Sequence, residues 1–424
     1  MKYLYILATL FFFISCNESE VEYDDPKCTI SKQNEFVYNY MQKNYLWSER
    51  LPSLDYAKYS SPAALLEDLK VPEDRWSFIM PKEALEAYYN GLGYVGLGFK
   101  IKYLDGKLYI ALVYPNSPAG RANLKRGDRI LSINGEDVDN KDYTFVNRAL
   151  GNDQEGVRVD ITIEDEQKNV RSITLYKEQV HTPSVLKTKI FTKDESVIGY
   201  ILFDAFITPS SDELKDAFEQ FKQAGVEKII VDLRYNGGGL VEVANDFISL
   251  LIGKEYHDGV SFKLFFNENN SYKNRNYYIK YPQNAMAVND IYFLTTQRTC
   301  SASEALINAL KPYGVDIHII GSQTCGKPVG MVGDDFCDFY VMPIEFKIAN
   351  ANSESDYFNG LSVTCSAQDD VAHDFADEEE AMFAEALYLM KNGVCSSTQN
   401  ARVVKPLGKE LILDGFEQFN GGAF

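Results

Sequence analysis

Residues 228–239 read Lys228-Ile229-Ile230-Val231-Asp232-Leu233-Arg234-Tyr235-Asn236-Gly237-Gly238-Gly239, an apolar run that leads directly into three glycines. A short apolar run bounded by glycine predicts a buried strand that ends in a loop. A strand and a helix are predicted before it, at residues 199–203 and 210–224, and another helix after it, at 240–252. This alternation of strands and helices predicts a layered α/β domain over about residues 181–395.

Two further strands of this domain are predicted to end in loops that carry reactive side chains. The strand Ile291–Thr295 leads to Cys300-Ser301-Ala302-Ser303-Glu304, which opens a helix over Ala305–Leu310. The strand Ile317–Ile320 leads to Gly321-Ser322-Gln323-Thr324-Cys325-Gly326-Lys327-Pro328. Because loops at strand ends often carry function in α/β domains, these two loops are the first candidates for a site.

Three explanations of these loops compete. Ser301 and Glu304 have the spacing of a helix capping box, which needs no function. Residues 321–327 match the phosphate-binding pattern G-x-x-x-x-G-K, but Pro328 stands where that pattern needs a serine or threonine. In the third explanation, Ser301 is a nucleophile at a helix N-terminus, and Lys327 is its base, held neutral by an apolar pocket.

A Ser-His-Asp site is disfavoured by the same sequence. The nucleophile pattern G-x-S-x-G is absent. His318 lies in the apolar strand Ile317–Ile320, where packing in the core is the simpler expectation.

A second module is predicted over residues 91–180. Helical spacing over residues 33–90 changes there to strands and turns, including the hairpin signal Asn134-Gly135. The loop Gly96-Leu97-Gly98-Phe99 opens a strand, and this region resembles a PDZ domain. The resemblance implies that the backbone N–H groups of this loop capture a terminal carboxylate while the strand edge pairs with the ligand.

The glycines of this loop also allow another interpretation. Gly91, Gly93 and Gly96 spell the dinucleotide fingerprint G-x-G-x-x-G. That motif must follow a strand and open a helix, whereas here it follows a helix and opens a strand. We therefore favour the peptide-binding module.

The combined order of motifs resembles the carboxyl-terminal processing (tail-specific) serine peptidases over roughly residues 91–330. The resemblance implies a mixed α/β fold, with a ClpP/crotonase-like layered peptidase core, an inserted PDZ domain and an N-terminal helical segment. It places the nucleophile on Ser301 rather than Ser303, and the general base on Lys327. It places the oxyanion hole on the backbone N–H groups of Ala302 and Gly239, with Gly238 as the near alternative. It implies no metal and no cofactor.

The sequence departs from this family in two places. Many members have a glutamine four residues after the lysine, and here that position is Met331, which cannot donate a useful hydrogen bond. The separation of Ser301 and Lys327 is also one residue longer than usual, which we place around Lys311–Asp316. An alternative function follows from Met331: a catalytically inactive, peptide-binding envelope lipoprotein.

The N-terminus predicts export. Lys2 precedes the apolar run Leu4–Ile14, which is too short to span a bilayer but suits a signal peptide. Residues 13–16 resemble a lipobox, which implies lipidation of Cys16; a plain secretory signal is the alternative. We expect residues 1–16 to be a signal peptide, 17 to about 32 to be an acidic tether, and 396–424 to be a C-terminal tail. The protein is then held in the cell envelope by lipid, on the periplasmic or cell-surface side.

Composition and cysteines fit this compartment. Lys and Arg number 42 against 61 Asp and Glu, a net charge of −19 that disfavours nucleic acid as a partner. The expected partners are unfolded or tail-exposed proteins and the membrane. Six further cysteines favour disulfides in an oxidising compartment: Cys28, Cys300, Cys325, Cys337, Cys365 and Cys395. We expect Cys300 to pair with Cys325, because each lies within two residues of a proposed catalytic group.

Overall fold

The computed structural model describes residues 27–396. The predicted signal peptide, the lipidation site Cys16, the first part of the tether and nearly all of the C-terminal tail therefore lie outside the described residues. Within residues 27–396, no helix is both long enough and apolar enough to cross a membrane.

The N-terminal region is helical, as predicted, but it belongs to the body of the protein. Its elements are α1 (Ile30–Asn44), α2 (Pro62–Leu69), β1 (Phe78–Pro81) and α3 (Lys82–Tyr89), with 3-10 turns at Ser48–Arg50 and Tyr56–Lys58. The prediction of a tether up to about residue 32 was too long, since α1 begins at Ile30 and Cys28 forms a disulfide with Cys337. Val37, Met41 and Trp76 share one apolar cluster with Val329 and Ile344 of the layered α/β domain predicted over residues 181–395, which is called the peptidase domain after the family that it resembles.

The PDZ domain follows as a sheet with two short helices. Its elements are β2 (Tyr94–Gly96), β3 (Phe99–Leu104), β4 (Lys107–Val113), α4 (Pro118–Arg121), β5 (Arg129–Ile133), β6 (Glu136–Asp137), α5 (Tyr143–Leu150), β7 (Arg158–Glu164), β8 (Val170–Tyr176) and β9 (Glu178–Val180). The strand order is β3-β4-β5-β7-β8, so β3 lies at an edge. The predicted hairpin is confirmed, with positive φ at both Asn134 and Gly135.

The peptidase domain is built on a mostly parallel sheet. Its first half comprises β10 (Val185–Lys193), β11 (Ser196–Phe203), α6 (Ser210–Ala224), β12 (Lys228–Asp232), α7 (Val241–Tyr256), β13 (Val260–Phe266), a 3-10 turn (Glu268–Lys273) and β14 (Arg275–Tyr278). Its second half comprises β15 (Asp290–Thr295), α8 (Ala302–Leu310), a 3-10 turn (Lys311–Tyr313), β16 (Asp316–Gly321), β17 (Val329–Met331), β18 (Asp334–Phe336), β19 (Phe339–Met342), β20 (Ile344–Ala349), β21 (Cys365–Ser366) and α9 (Ala381–Asn392).

The central sheet has the order β10-β11-β12-β15-β16-β21, and every pair except β10–β11 is parallel. Helices connect the parallel strands, so the carboxyl ends of β12, β15 and β16 meet at one edge. The three loops chosen from the sequence follow those ends. The sheet thereby brings together segments that lie almost a hundred residues apart in the chain.

Two smaller sheets were not predicted. One has the order β14-β13-β20-β17, and the other, β1-β19-β18, adds an N-terminal strand to a peptidase hairpin. The register of the second sheet runs from Phe78 opposite Met342 to Pro81 opposite Phe339. The loop after β16 leads into β17 of the first of these sheets, and β18 of the second follows.

Three local predictions were wrong. Helix α8 begins at Ala302 rather than Ala305, so Ser301 is its N-cap. The sequence predicts an acidic helix from Asp377 to Lys391, but α9 begins at Ala381, with Glu380 as its N-cap, and the acidic residues from Asp377 onward precede it. His318 is not packed in the core: its side chain is 27% exposed, stacks on Tyr292 and lies 3.1 Å from Asp290. Successive side chains of a strand point to opposite faces of the sheet, and an apolar run does not show which of the two faces is covered.

Candidate active site

Ser301 stands at the junction of the β15 loop and α8, in an unusual backbone conformation. Its φ is +54° and its ψ is −113°, a region that residues other than glycine seldom occupy. Such strain persists only where surrounding contacts impose it, and it clusters at functional sites. Here the N–H of Cys300 donates to the carbonyl of Asn236 at 3.1 Å, which ties the serine loop to the glycine loop.

The glycine loop contacts Ser301 directly. A Cβ at Gly238 would lie 2.8 Å from Cβ of Ser301 and 2.9 Å from N of Ala302, and Gly238 has φ +106°. The N–H of Gly238 donates to Oδ1 of Asn236 at 2.9 Å. Because that N–H is already engaged, the geometry favours Gly239 over Gly238 as the second donor of the predicted oxyanion hole, beside Ala302.

The carboxylate of Glu304 joins the serine loop to the lysine loop. Its Oε2 accepts the N–H of Ser301 at 3.0 Å and the N–H of Lys327 at 2.8 Å. Its Oε1 accepts the N–H of Gly326 at 2.8 Å and the hydroxyl of Thr324. Burial raises the pKa of Glu304, while these four donors stabilise its ionised form.

Glu304 therefore does more than cap the helix α8. The bond from the Ser301 N–H to Glu304 is the one that a capping box predicts. The other three bonds of this carboxylate go to the loop that carries Lys327. Sequence spacing marked Glu304 only as a cap, because its long-range partners follow another strand.

Lys327 is buried at the carboxyl end of β16, with 2% of its surface exposed. Burial lowers its pKa to about 8, and the charges of Asp74 and Glu304 oppose that shift. An amine with this pKa is partly neutral near neutral pH, as a general base must be. The expectation of a lysine in an apolar pocket agrees with this burial.

A disulfide links the two reactive loops. Cys300 and Cys325 are bonded, as predicted, and their Cα atoms lie 5.2 Å apart. The N–H of Cys325 also donates to the carbonyl of Thr299 at 3.1 Å. The other described disulfides are Cys28–Cys337 and Cys365–Cys395. Cys300, Cys325 and Glu304 are close enough together to ligate a metal, but disulfide sulfurs offer no thiolate.

Ser301 and Lys327 line one cavity of about 210 Å³. Its walls are mainly apolar, and its lining also includes Tyr89 of α3 and Met331 of β17. Further apolar lining residues are Leu240, Val241, Leu264, Ala305, Val329, Val332, Phe346 and Ile348. Glu242 and Arg275 also line the cavity, so it offers mainly apolar surface and two charged side chains beside Ser301 and Lys327.

The predicted carboxylate-binding loop of the PDZ domain, Gly96-Leu97-Gly98-Phe99, lies at the start of the edge strand β3. The carbonyls of Leu97 and Gly98 accept the N–H of Ala119 and the hydroxyl of Ser117. Gly98 has φ +80°, and a Cβ there would lie 1.9 Å from Cβ of Ser117. Ser117 and Ala119 thus hold the loop in place. The edge strand beside it can accept another strand.

Profiles of known protein families match three parts of this chain, in the order that the fold shows. The profile of the Peptidase S41 N-terminal domain matches residues 32–78, that of a PDZ domain matches 95–174, and that of Peptidase family S41 matches 197–342. A probable CtpA-like serine protease of Staphylococcus aureus is 27% identical over 313 residues, which are 72% of this chain and 58% of that protein. The carboxy-terminal processing protease CtpB of Bacillus subtilis is 26% identical over 262 residues, 61% of this chain and 52% of CtpB. The chain thus spans a little over half the length of these curated relatives.

Solved structures show the same fold. An S41-assigned protease of Bacteroides fragilis matches with a TM-score of 0.71 at 23% identity, covering 84% of this chain and 97% of that one. The photosystem II D1 C-terminal processing protease matches with a TM-score of 0.50 at 18% identity, covering 80% and 93%. These matches confirm the predicted mixed α/β architecture with its PDZ domain.

Proposed function

We propose that this chain is a serine endopeptidase of the S41 type that cleaves with a Ser301–Lys327 dyad and binds the C-terminal tails of its substrates. The profile matches to Peptidase family S41, to its N-terminal domain and to a PDZ domain support this proposal. The observation that carries the proposal is that Ser301 and Lys327 line one cavity and are joined by Glu304.

The proposed reaction has two steps. Neutral Lys327 takes the proton of the Ser301 hydroxyl as Oγ attacks the peptide carbonyl, and the N–H groups of Ala302 and Gly239 stabilise the oxyanion. The lysine then gives its proton to the leaving amine, which departs and leaves an acyl-enzyme. Water activated by Lys327 hydrolyses this ester and restores the serine.

Tail binding is supported by the geometry of the PDZ domain. The edge of β3 has no strand beside it within the described residues, and Gly98 ends the loop at which a terminal carboxylate would sit. An unfolded substrate with an apolar C-terminus would add as a strand to this edge. The cavity at Ser301 would take an uncharged side chain next to the cleaved bond.

The cell envelope remains the proposed location, with lipidation of Cys16 as the anchor. Three disulfides in the described part of the chain support an oxidising compartment. Labelling of cells with a fatty-acid probe, with a Cys16→Ser variant as control, tests the anchor. Loss of label in the variant is expected, and label retained in it would contradict lipidation at Cys16.

A second candidate function is peptide binding without catalysis. Met331, which lines the cavity where many family members are expected to have a glutamine, is the observation that favours it. Tail binding that survives without any turnover would support this alternative.

One experiment separates the two functions. Wild type, Ser301→Ala and Lys327→Ala are compared for cleavage of an unfolded protein ending in apolar residues, with and without a chelator, after each variant is shown to melt cooperatively. Cleavage by the wild type alone is expected. No cleavage by any of the three proteins, with tail binding retained, would overturn the peptidase and support the binding protein.

A further inference from the structure

Met331 leaves open which group orients Lys327, and the N-terminal domain supplies a buried carboxylate in a turn that contacts the lysine loop. Asp74 is 5% exposed and lies in the turn between α2 and β1. The catalytic steps proposed above do not use it. A carboxylate is seldom buried unless it is paired or hydrogen-bonded.

Four hydrogen bonds fix the carboxylate of Asp74 in one orientation. Its Oδ1 accepts the N–H groups of Trp76 and Ser77 at 3.0 and 2.9 Å. Its Oδ2 accepts the hydroxyl of Tyr45 at 2.8 Å and that of Ser77. All four donors belong to the N-terminal domain, so the turn holds its carboxylate independently of the lysine.

The two residues after Asp74, Arg75 and Trp76, pack against the lysine loop on both sides of Lys327. Nη2 of Arg75 lies 3.4 Å from the carbonyl of Gly326, the residue before the lysine, and 3.0 Å from that of Phe358. Trp76 lies in the same apolar cluster as Val329, two residues after the lysine. The turn is therefore docked across the segment from which Lys327 projects.

We propose that Asp74 is a positioning residue for Lys327, and that it does in this chain what a hydrogen-bonding side chain at position 331 does in relatives that have one. The inference rests on the proposed function, since it assigns Lys327 as the base. It makes the N-terminal domain a part of the catalytic apparatus.

The electrostatics agree with this placement. The charge of Asp74 opposes the fall in the Lys327 pKa that burial causes, and Glu304 on α8 acts in the same direction. The other charged or titratable groups beside them are the guanidinium of Arg75, which contacts Gly326, and the phenols of Tyr45 and Tyr357. Burial raises the pKa of Tyr45 beside Asp74 and of Tyr357 near Glu304, so both phenols stay neutral near neutral pH.

The test follows the rate at which Ser301 is acylated by a serine-directed fluorophosphonate as a function of pH, which needs neither a substrate nor the PDZ domain. In wild type we expect the rate to rise with an apparent pKa of about 8. Asp74→Asn keeps the shape of the side chain and removes its charge, so the apparent pKa should fall by about one unit. Asp74→Glu should restore it.

The matched control is Glu73→Gln, which removes a charge from the adjacent residue at the surface and should leave the profile unchanged. An Asp74→Asn protein that melts normally and keeps the wild-type profile would overturn the inference, as would a loss of acylation that Asp74→Glu does not restore. If Asp74→Asn does not fold, Arg75→Ala detaches the turn from Gly326 and should shift the profile in the same direction; no shift would overturn the inference.

The outcomes also separate the inference from the proposed function. A folded wild type that is not acylated at any pH would overturn both. Acylation of wild type with a profile that ignores Asp74 would leave the Ser301–Lys327 dyad standing and reject Asp74 alone.

Discussion

Nη2 of Arg126, in the PDZ domain, lies 2.7 Å from Oδ1 of Asp369, in the peptidase domain, and both side chains are almost fully buried. Asp369 also pairs with Lys102 of the PDZ domain at 2.9 Å and with Arg234 at 3.0 Å. Burial would raise the pKa of Asp369, but these three cations hold it well below its usual value. Since Arg234 begins the glycine loop, one carboxylate connects the PDZ domain to the loop that contacts Ser301.

Removing this carboxylate should destabilise the protein strongly. Asp369→Asn leaves buried cations uncompensated, and we expect a loss of about 3–5 kcal/mol in the free energy of unfolding. Denaturant unfolding monitored by fluorescence measures it. Asp374→Asn is the control, because the aspartate is largely exposed and its partner Lys187 is partly exposed, and it should cost less than about 1 kcal/mol. Equal costs for both variants would contradict the role of the buried cluster.

Gly238→Ala should abolish acylation of Ser301. The new Cβ would lie 2.8 Å from Cβ of Ser301, and the φ of +106° is unfavourable for alanine, so the serine loop must shift. We expect the acylation rate by a serine-directed probe to fall at least about 100-fold. Gly225→Ala is the matched control, since Gly225 also has positive φ but no atom within 4 Å. It should lose about 1 kcal/mol of stability and keep its acylation rate; a normal rate in Gly238→Ala would show that the loops are not in contact.

The disulfide between the two reactive loops should matter for catalysis beyond its effect on stability. Replacing Cys300 and Cys325 by alanine opens a cross-link with a sequence separation of 25, which typically costs about 2–4 kcal/mol. We also expect acylation to be at least about tenfold slower, because Ser301 is adjacent to Cys300 and Lys327 lies two residues after Cys325.

The Cys365–Cys395 pair, with a separation of 30, provides the comparison. Its double alanine variant should lose a similar amount of stability and acylate at the wild-type rate. If both double variants are folded and are acylated equally fast, the Cys300–Cys325 disulfide contributes to stability alone.

The buried amine of Lys327 should lower the free energy of unfolding at neutral pH. Its folded pKa of about 8 lies below the value of about 10.4 for an exposed lysine, so the unfolded state binds more protons between these two values. Stability should therefore rise with pH across that window, by up to about 3 kcal/mol, and the penalty is fully present below pH 8.

Lys327→Met removes this penalty. The variant should be more stable than wild type at pH 7 and should lack the increase toward pH 10, which urea unfolding at both pH values measures. A variant less stable than wild type at pH 7, with the same pH dependence, would show that the buried amine is fully compensated by its surroundings.

Local patterns in the sequence were sufficient for the strands that carry the site. The apolar run Lys228–Asp232 and its glycines, the strand before Ser301 and the strand before Lys327 each lie where periodicity predicted them. Their loops meet because parallel strands of one sheet end at one edge, which is a general property of the architecture. The PDZ domain over residues 91–180 was expected from its resemblance to that family rather than from local patterns.

Other features depended on contacts between distant segments. Except for the local bond to Ser301, the partners of Glu304, the salt bridges of Asp369 and the docking of the Asp74 turn on Gly326 join residues that are 20 to 267 positions apart. No local spacing records such pairs. The sheet β1-β19-β18 was missed because its strands are short, and the side of the strand that His318 faces was misjudged because an apolar run does not show which face is covered.

The sequence by itself determined the parallel strands and the loops after them that carry Ser301 and Lys327, because hydrophobic periodicity and turn residues act over a few neighbouring positions. The order of domains was expected from the resemblance of the combined motifs to one family. The tertiary structure alone decided which carboxylates surround Lys327 and how the PDZ domain is joined to the glycine loop. Those outcomes depend on burying charged groups in pairs, and a charge is stabilised by partners that are close in space regardless of their place in the chain.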